Sequence, residues 1–78
     1  MARLRLFGPV REAAGLGEDE LPGETLDELL AAARERYGAR FSAVAERCVV
    51  WVNGEAAPGG TPLVAGDEVA LLPPVSGG

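Results

Sequence analysis

The stretch "TLDELLAAARERYG" decides most of what this chain can become. Thr25 followed by Glu28 is a capping box, and Asp27 adds a carboxylate to the first turn, where the helix dipole favours negative charge. Leu26, Leu29, Leu30, Ala33 and Tyr37 then recur at helical spacing, and Gly38 supplies the stop. The spacing predicts one long amphipathic helix with a single apolar stripe. That stripe needs a sheet or another helix to cover.

The segments around it read mostly as strands. "RLRLF" alternates, with Leu4 and Leu6 on one face and Arg3, Arg5 and Phe7 on the other. "GPVREAAG" reads as a short helix, with Pro9 in its first turn and Gly15 as its stop. "EDEL" reads as a short strand ended by Pro22 and Gly23, and "RFSAVAER" as one more helical turn with Phe41, Val44 and Ala45 facing inward. "CVVWVNGEAA" has the form of a hairpin turning at Asn53–Gly54. "VAGDEVALL" turns at Gly66–Asp67 into a last strand with Val69 and Leu71 on one face, and Pro73 and Pro74 end its pairing. The order is strand, short helix, strand, long helix, hairpin and final strand. If the first and last strands lie side by side, the fold is a β-grasp; order alone leaves it one of several α+β options.

The same alternation places Phe7, Trp51 and Leu72 opposite the residues the long helix would cover. An exposed apolar cluster of that size is expected to bind a partner. The competing expectation is that the short helix "PVREAA" covers it.

At 78 residues the chain is expected to be a single domain over 1–78, with one core and little room for an enclosed active site. It has no histidine and no lysine, which removes the usual zinc ligands, the usual general base and Schiff-base chemistry. The one cysteine, Cys48, opens an apolar run and reads as a small buried hydrophobe. Seven arginines are dispersed without interleaved aromatics and the net charge is −5, so the expectation is no nucleic acid partner. No apolar run is long enough to span a bilayer and charges interrupt the first residues, so no membrane role and a cytoplasmic location are expected.

Four stretches carry a family resemblance: "LFGPVREAAG", "VWVNGE", "AGDEVALLPPV" and "SGG", in this order over nearly the whole chain. By them the chain resembles the ubiquitin-like sulfur carriers, most closely the small subunits of molybdopterin synthase. Leu71 and Leu72 stand where that family more often has aromatics. The resemblance implies a β-grasp fold and a chemistry at the carboxylate of Gly78. An E1-like adenylyltransferase would use ATP to adenylate it, and a sulfur donor protein would convert it to a thiocarboxylate. The large subunit of the synthase, in a heterotetramer with the small one, would place that sulfur on cyclic pyranopterin monophosphate. On this reading the chain binds no cofactor itself and catalysis belongs to the large subunit.

The end of the chain suits such chemistry. Gly77 and Gly78 lack a Cβ and would pass a narrow channel, while Pro73 and Pro74 stiffen the base of a tail over 73–78. Val75 is its last apolar residue, so Ser76, Gly77 and Gly78 are expected to be mobile in the free chain. Three other readings stay open. One is a thiamine-pathway carrier, the second a ubiquitin-like modifier of other proteins, and the third an interaction module with an inert tail.

Overall fold

The computed structural model describes residues 1–74. In chain order the elements are β1 (Ala2–Leu6), α1 (Pro9–Ala14), β2 (Glu18–Leu21), α2 (Leu26–Tyr37), α3 (Ala39–Ala45), β3 (Val49–Val52), β4 (Glu55–Ala56) and β5 (Glu68–Leu72). Residues 75–78 lie outside the described residues, and with them the expected mobility of Ser76, Gly77 and Gly78.

Helix α2 starts where the capping signal puts it. Thr25 Oγ1 accepts a hydrogen bond from the Glu28 N–H at 3.2 Å. The Glu28 carboxylate reaches back to the N–H of Glu24, at 3.1 Å, one residue before the cap. Two further first-turn donors are met by a loop: the Leu26 N–H donates to the Thr61 carbonyl at 2.9 Å, and the Asp27 N–H to the Gly59 carbonyl at 2.8 Å. The loop after β4 therefore clasps the start of α2 and fixes its height over the sheet.

The five strands form one sheet in the order β2-β1-β5-β3-β4. The first and last strands are central neighbours and parallel, with Leu4 beside Val69 and Leu6 beside Leu71. The remaining pairs are antiparallel. This is the β-grasp arrangement, with the helices gathered on one face.

The core lies between that face and the helices. Leu4, Leu6, Val69 and Leu71 from the sheet meet Leu26, Leu29 and Ala33 of α2, Phe41 of α3 and Val10 of α1, all fully buried. At roughly 25 cal/mol per Å² of apolar surface, these side chains hold most of the stability. Helix α1 thus lies on the helix side of the sheet through Val10, and it does not cover Phe7. Helix α3 is longer than the single turn expected from "RFSAVAER": seven residues, entered directly from Gly38.

Outside the core, one polar network locks the hairpin. Asn53 has positive φ (49°), as does Gly54 (83°), which suits a tight two-residue turn. The Asn53 side-chain oxygen Oδ1 accepts from the Glu68 N–H at 2.9 Å and its side-chain NH2 donates to Asp67 at 3.0 Å. The second Asp67 oxygen accepts from the Val64 N–H at 2.8 Å. The Val64 N–H above all, and the Asn53 amide after it, hold the Asp67 carboxyl below its usual range.

Candidate functional site

Strand register lays out the face that the helices leave open. Residues paired across strands share a face. One row runs Glu20, Arg3, Glu68, and the next runs Glu18, Arg5, Ala70, Trp51, Ala56. A third row holds Val49 opposite Leu72. Phe7, one step past the Leu6–Leu71 pair, continues this row beside Leu72.

The face therefore has two halves. The half away from Pro73 is charged: Arg3 pairs with Glu18 at 3.2 Å and Arg5 with Glu68 at 3.6 Å. The half next to Pro73 is apolar, built from Phe7, Leu72, Val49, Ala70 and Trp51. Phe7 is 36% exposed and Trp51 38%, both high for large apolar side chains. The Arg5 guanidinium stands 5.7 Å from the centre of the Phe7 ring, at the seam between the halves.

Of the residues singled out from the sequence, Phe7, Trp51 and Leu72 fall on one open face. Leu72, on the strand between the other two, is half-buried. Trp51 sits one row back, across from Ala70. Val49 and Ala70 complete the patch and went unnoticed in the sequence reading. The alternation that marked Trp51 and Leu72 also marks these positions, two residues before each. Pro73 and Pro74 are exposed at the end of β5, directly past the patch. Val75, Ser76, Gly77 and Gly78 lie outside the described residues.

The side chains offer little chemistry of their own. Cys48 is half-buried, its thiol donates to the Val44 carbonyl at 3.5 Å, and burial pushes its pKa up, away from a reactive thiolate. Tyr37 donates its hydroxyl to Asp19, which Arg36 also approaches at 3.2 Å. That bond, above all, lowers the Asp19 pKa, while burial raises that of Tyr37. The trio ties β2 to the end of α2, far along the chain from the patch, and its role is structural. Among the described residues no group of three His, Cys, Asp or Glu converges on a metal position. No helix there is long and apolar enough to cross a membrane.

A mixed sheet with a parallel central pair, helices on one face and an open apolar patch at the end of the last strand defines the ubiquitin-like β-grasp class to which the sulfur carriers belong. Within it the chain belongs to the ThiS family, whose family model matches residues 4–78. Small archaeal modifier protein 1 of Haloferax volcanii is 37% identical, over 95% of this chain and 97% of that protein. The solution structure of small archaeal modifier protein 1 from Methanosarcina acetivorans superposes with a TM-score of 0.84 at 31% identity, covering 99% of this chain and 95% of that one. The complex of subunits 1 and 2 of the molybdopterin-converting factor from Helicobacter pylori contains a chain that matches with a TM-score of 0.75 at 31% identity, over 99% and 97%. These relatives bear out the resemblance to ubiquitin-like sulfur carriers.

Proposed function

We propose that this chain is the small, sulfur-donating subunit of a molybdopterin synthase, acting in the cytoplasm through the carboxylate of Gly78. A carboxylate is a poor electrophile. Attack of its oxygen on the α-phosphate of ATP, in an E1-like adenylyltransferase, releases pyrophosphate and leaves an acyl adenylate. A persulfide on a sulfur donor protein then displaces AMP to form an acyl disulfide, and a second thiol of the donor attacks its own sulfur in that bond, leaving the thiocarboxylate on Gly78 and a disulfide on the donor. The large subunit catalyses attack of that sulfur on cyclic pyranopterin monophosphate, and water then cleaves the resulting thioester, leaving the sulfur on the pterin and returning the carboxylate.

The observation that carries this reading is the apolar patch of Phe7, Leu72, Val49 and Trp51 running up to Pro73. A carrier with no catalytic side chain of its own has to be held while its terminus enters another protein's active site. A patch at the base of the tail holds it there and leaves only the last few residues to be ordered on docking. The likeness to a subunit of the Helicobacter pylori molybdopterin-converting factor complex supports the same partner class.

A second reading is favoured by a specific finding. The 37% identical relative is a modifier protein, and conjugation to target lysines shares the adenylation step. The two separate on one experiment. The chain is expressed with the adenylyltransferase of its own genome, and products are followed by intact mass and by blotting. A carrier accumulates a form with one oxygen replaced by sulfur, which converts the pterin precursor when the large subunit is added. A modifier accumulates high-mass adducts.

A further inference from the structure

We propose that a groove on the helix side of the tail's root receives one apolar side chain and an adjacent carboxylate from the enzyme that activates Gly78, a proposal that rests on the carrier reading above. The groove, open on one side, has a volume of about 260 Å³ between Pro9 of α1, Val44 of α3, Arg47 and Cys48 in the turn that follows, Pro73 and Pro74. It is separate from the open sheet face. Val44 and Cys48 pack against the helix-side core, whereas Phe7, Leu72 and Trp51 face the other way.

Three features specify the occupant. The walls are proline rings, a valine and a half-buried thiol whose one hydrogen bond goes to the Val44 carbonyl, so the hollow favours a carbon side chain, and it has room for one leucine or phenylalanine. Arg47 is exposed at the rim and, like Arg11, Arg34 and Arg40, takes part in none of the ion pairs among the described residues; of these four it is the one that lines the groove. On a chain of net charge −5, a guanidinium beside an apolar hollow complements a carboxylate flanking an apolar anchor. The third feature is continuity: Pro73 and Pro74 form one wall, so a segment seated in this groove lies against the residues that lead into the tail. With the patch on one side and the groove on the other, the enzyme grips the tail's root from both faces of the sheet.

The test uses the full chain, the purified adenylating enzyme of the same genome, and ATP. Adenylation is read by ATP–pyrophosphate exchange, and the groove is read by N-ethylmaleimide labelling of Cys48, the chain's only thiol, scored by mass. Arg47→Glu is expected to raise the KM for the chain about tenfold or more with kcat unchanged, the effect of losing an anchoring contact. Val44→Phe, which fills the hollow, is expected to do the same. Saturating enzyme should slow Cys48 labelling about tenfold, and Arg34→Glu on α2 should change nothing. If the wild-type chain is adenylated but Arg47→Glu leaves the KM unchanged or the enzyme leaves Cys48 labelling unchanged, the groove proposal is overturned and the chemistry proposed at Gly78 is untouched. If the wild-type chain is not adenylated at all, both fall. If labelling slows with the chain's own concentration and no enzyme present, the occupant is a second copy and the proposal is overturned.

Discussion

Gly8 lies against Pro73, so that the turn leaving β1 supports the residue leaving β5. A Cβ on Gly8 would stand 3.5 Å from Pro73 Cγ, an ordinary contact. The difficulty for any other residue is the backbone, with φ 62° and ψ −140°. The glycine also accepts, through its carbonyl, the N–H groups of Arg11 and Glu12 that start α1. Gly8→Ala is therefore expected to destabilise the chain by about 1–3 kcal/mol through backbone strain. Chemical denaturation checks this, and an unchanged midpoint would show that the turn relaxes freely.

Gly23 is required for a different reason. A Cβ there would come within 2.6 Å of the Leu29 backbone nitrogen, inside the first turns of α2. That backbone cannot swing aside, so Gly23→Ala should cost more than about 2 kcal/mol. Gly60→Ala meets nothing within 4 Å and should stay within about 0.5 kcal/mol of the parent. Thermal melts of the pair make the comparison.

The Tyr37–Asp19 bond makes stability fall at both ends of the pH scale. Asp19 and Asp67 have folded pKa values below the unfolded 3.8, so their contribution is present above that pH and is lost as pH falls through the folded values. Tyr37 is raised above its unfolded 10.0, so its contribution is complete below pH 10 and is lost as pH rises further. Tyr37→Phe should remove about 1–2 kcal/mol at neutral pH and abolish the alkaline arm attributed to this residue. Urea titrations at a series of pH values would reveal the change, and an alkaline arm that survives in the variant would assign it elsewhere.

Neighbouring residues of β5 and β3 should separate fold from binding. Leu71 is fully buried, and Leu71→Ala should cost about 2–5 kcal/mol through the cavity it leaves. Trp51, 38% exposed on the open face, should yield much less stability when replaced by alanine but weaken partner binding at least about tenfold. Calorimetric binding to the large subunit proposed above as the partner, alongside melts, reads both. Equal stability losses would mean that the two faces were misassigned.

Much of this was legible in the sequence because the signals were local. Thr25 and Glu28 mark the helix start, Asn53–Gly54 the hairpin, and the alternation of Leu4 and Leu6 with Arg3 and Arg5 the two faces of β1. What was missed depends on residues brought together from far along the chain. Tyr37 looked like one more residue of the apolar stripe, and its hydroxyl bond to Asp19 exists only once β2 lies beside α2. Gly23 read as a strand stop, while its close contact is with Leu29. Val49 and Ala70 carry no aromatic or long side chain to mark them in the sequence, and only pairing opposite Leu72 and Trp51 makes them part of the patch. The groove at Arg47 and Cys48 joins α1, α3 and the end of β5, and no single segment signals it.

The central claim is that Gly78 carries the chemistry and the rest of the chain only presents it. The direct measurement is the intact mass of the chain after expression with its adenylating enzyme and sulfur donor, for the parent and for a variant lacking residues 77–78. The account predicts that the parent exchanges one oxygen for sulfur at its terminus. The shortened chain should melt within about 0.5 kcal/mol of the parent, still bind the large subunit and gain no sulfur. Sulfur incorporated by the shortened chain, or found on a side chain of the parent, would contradict the account.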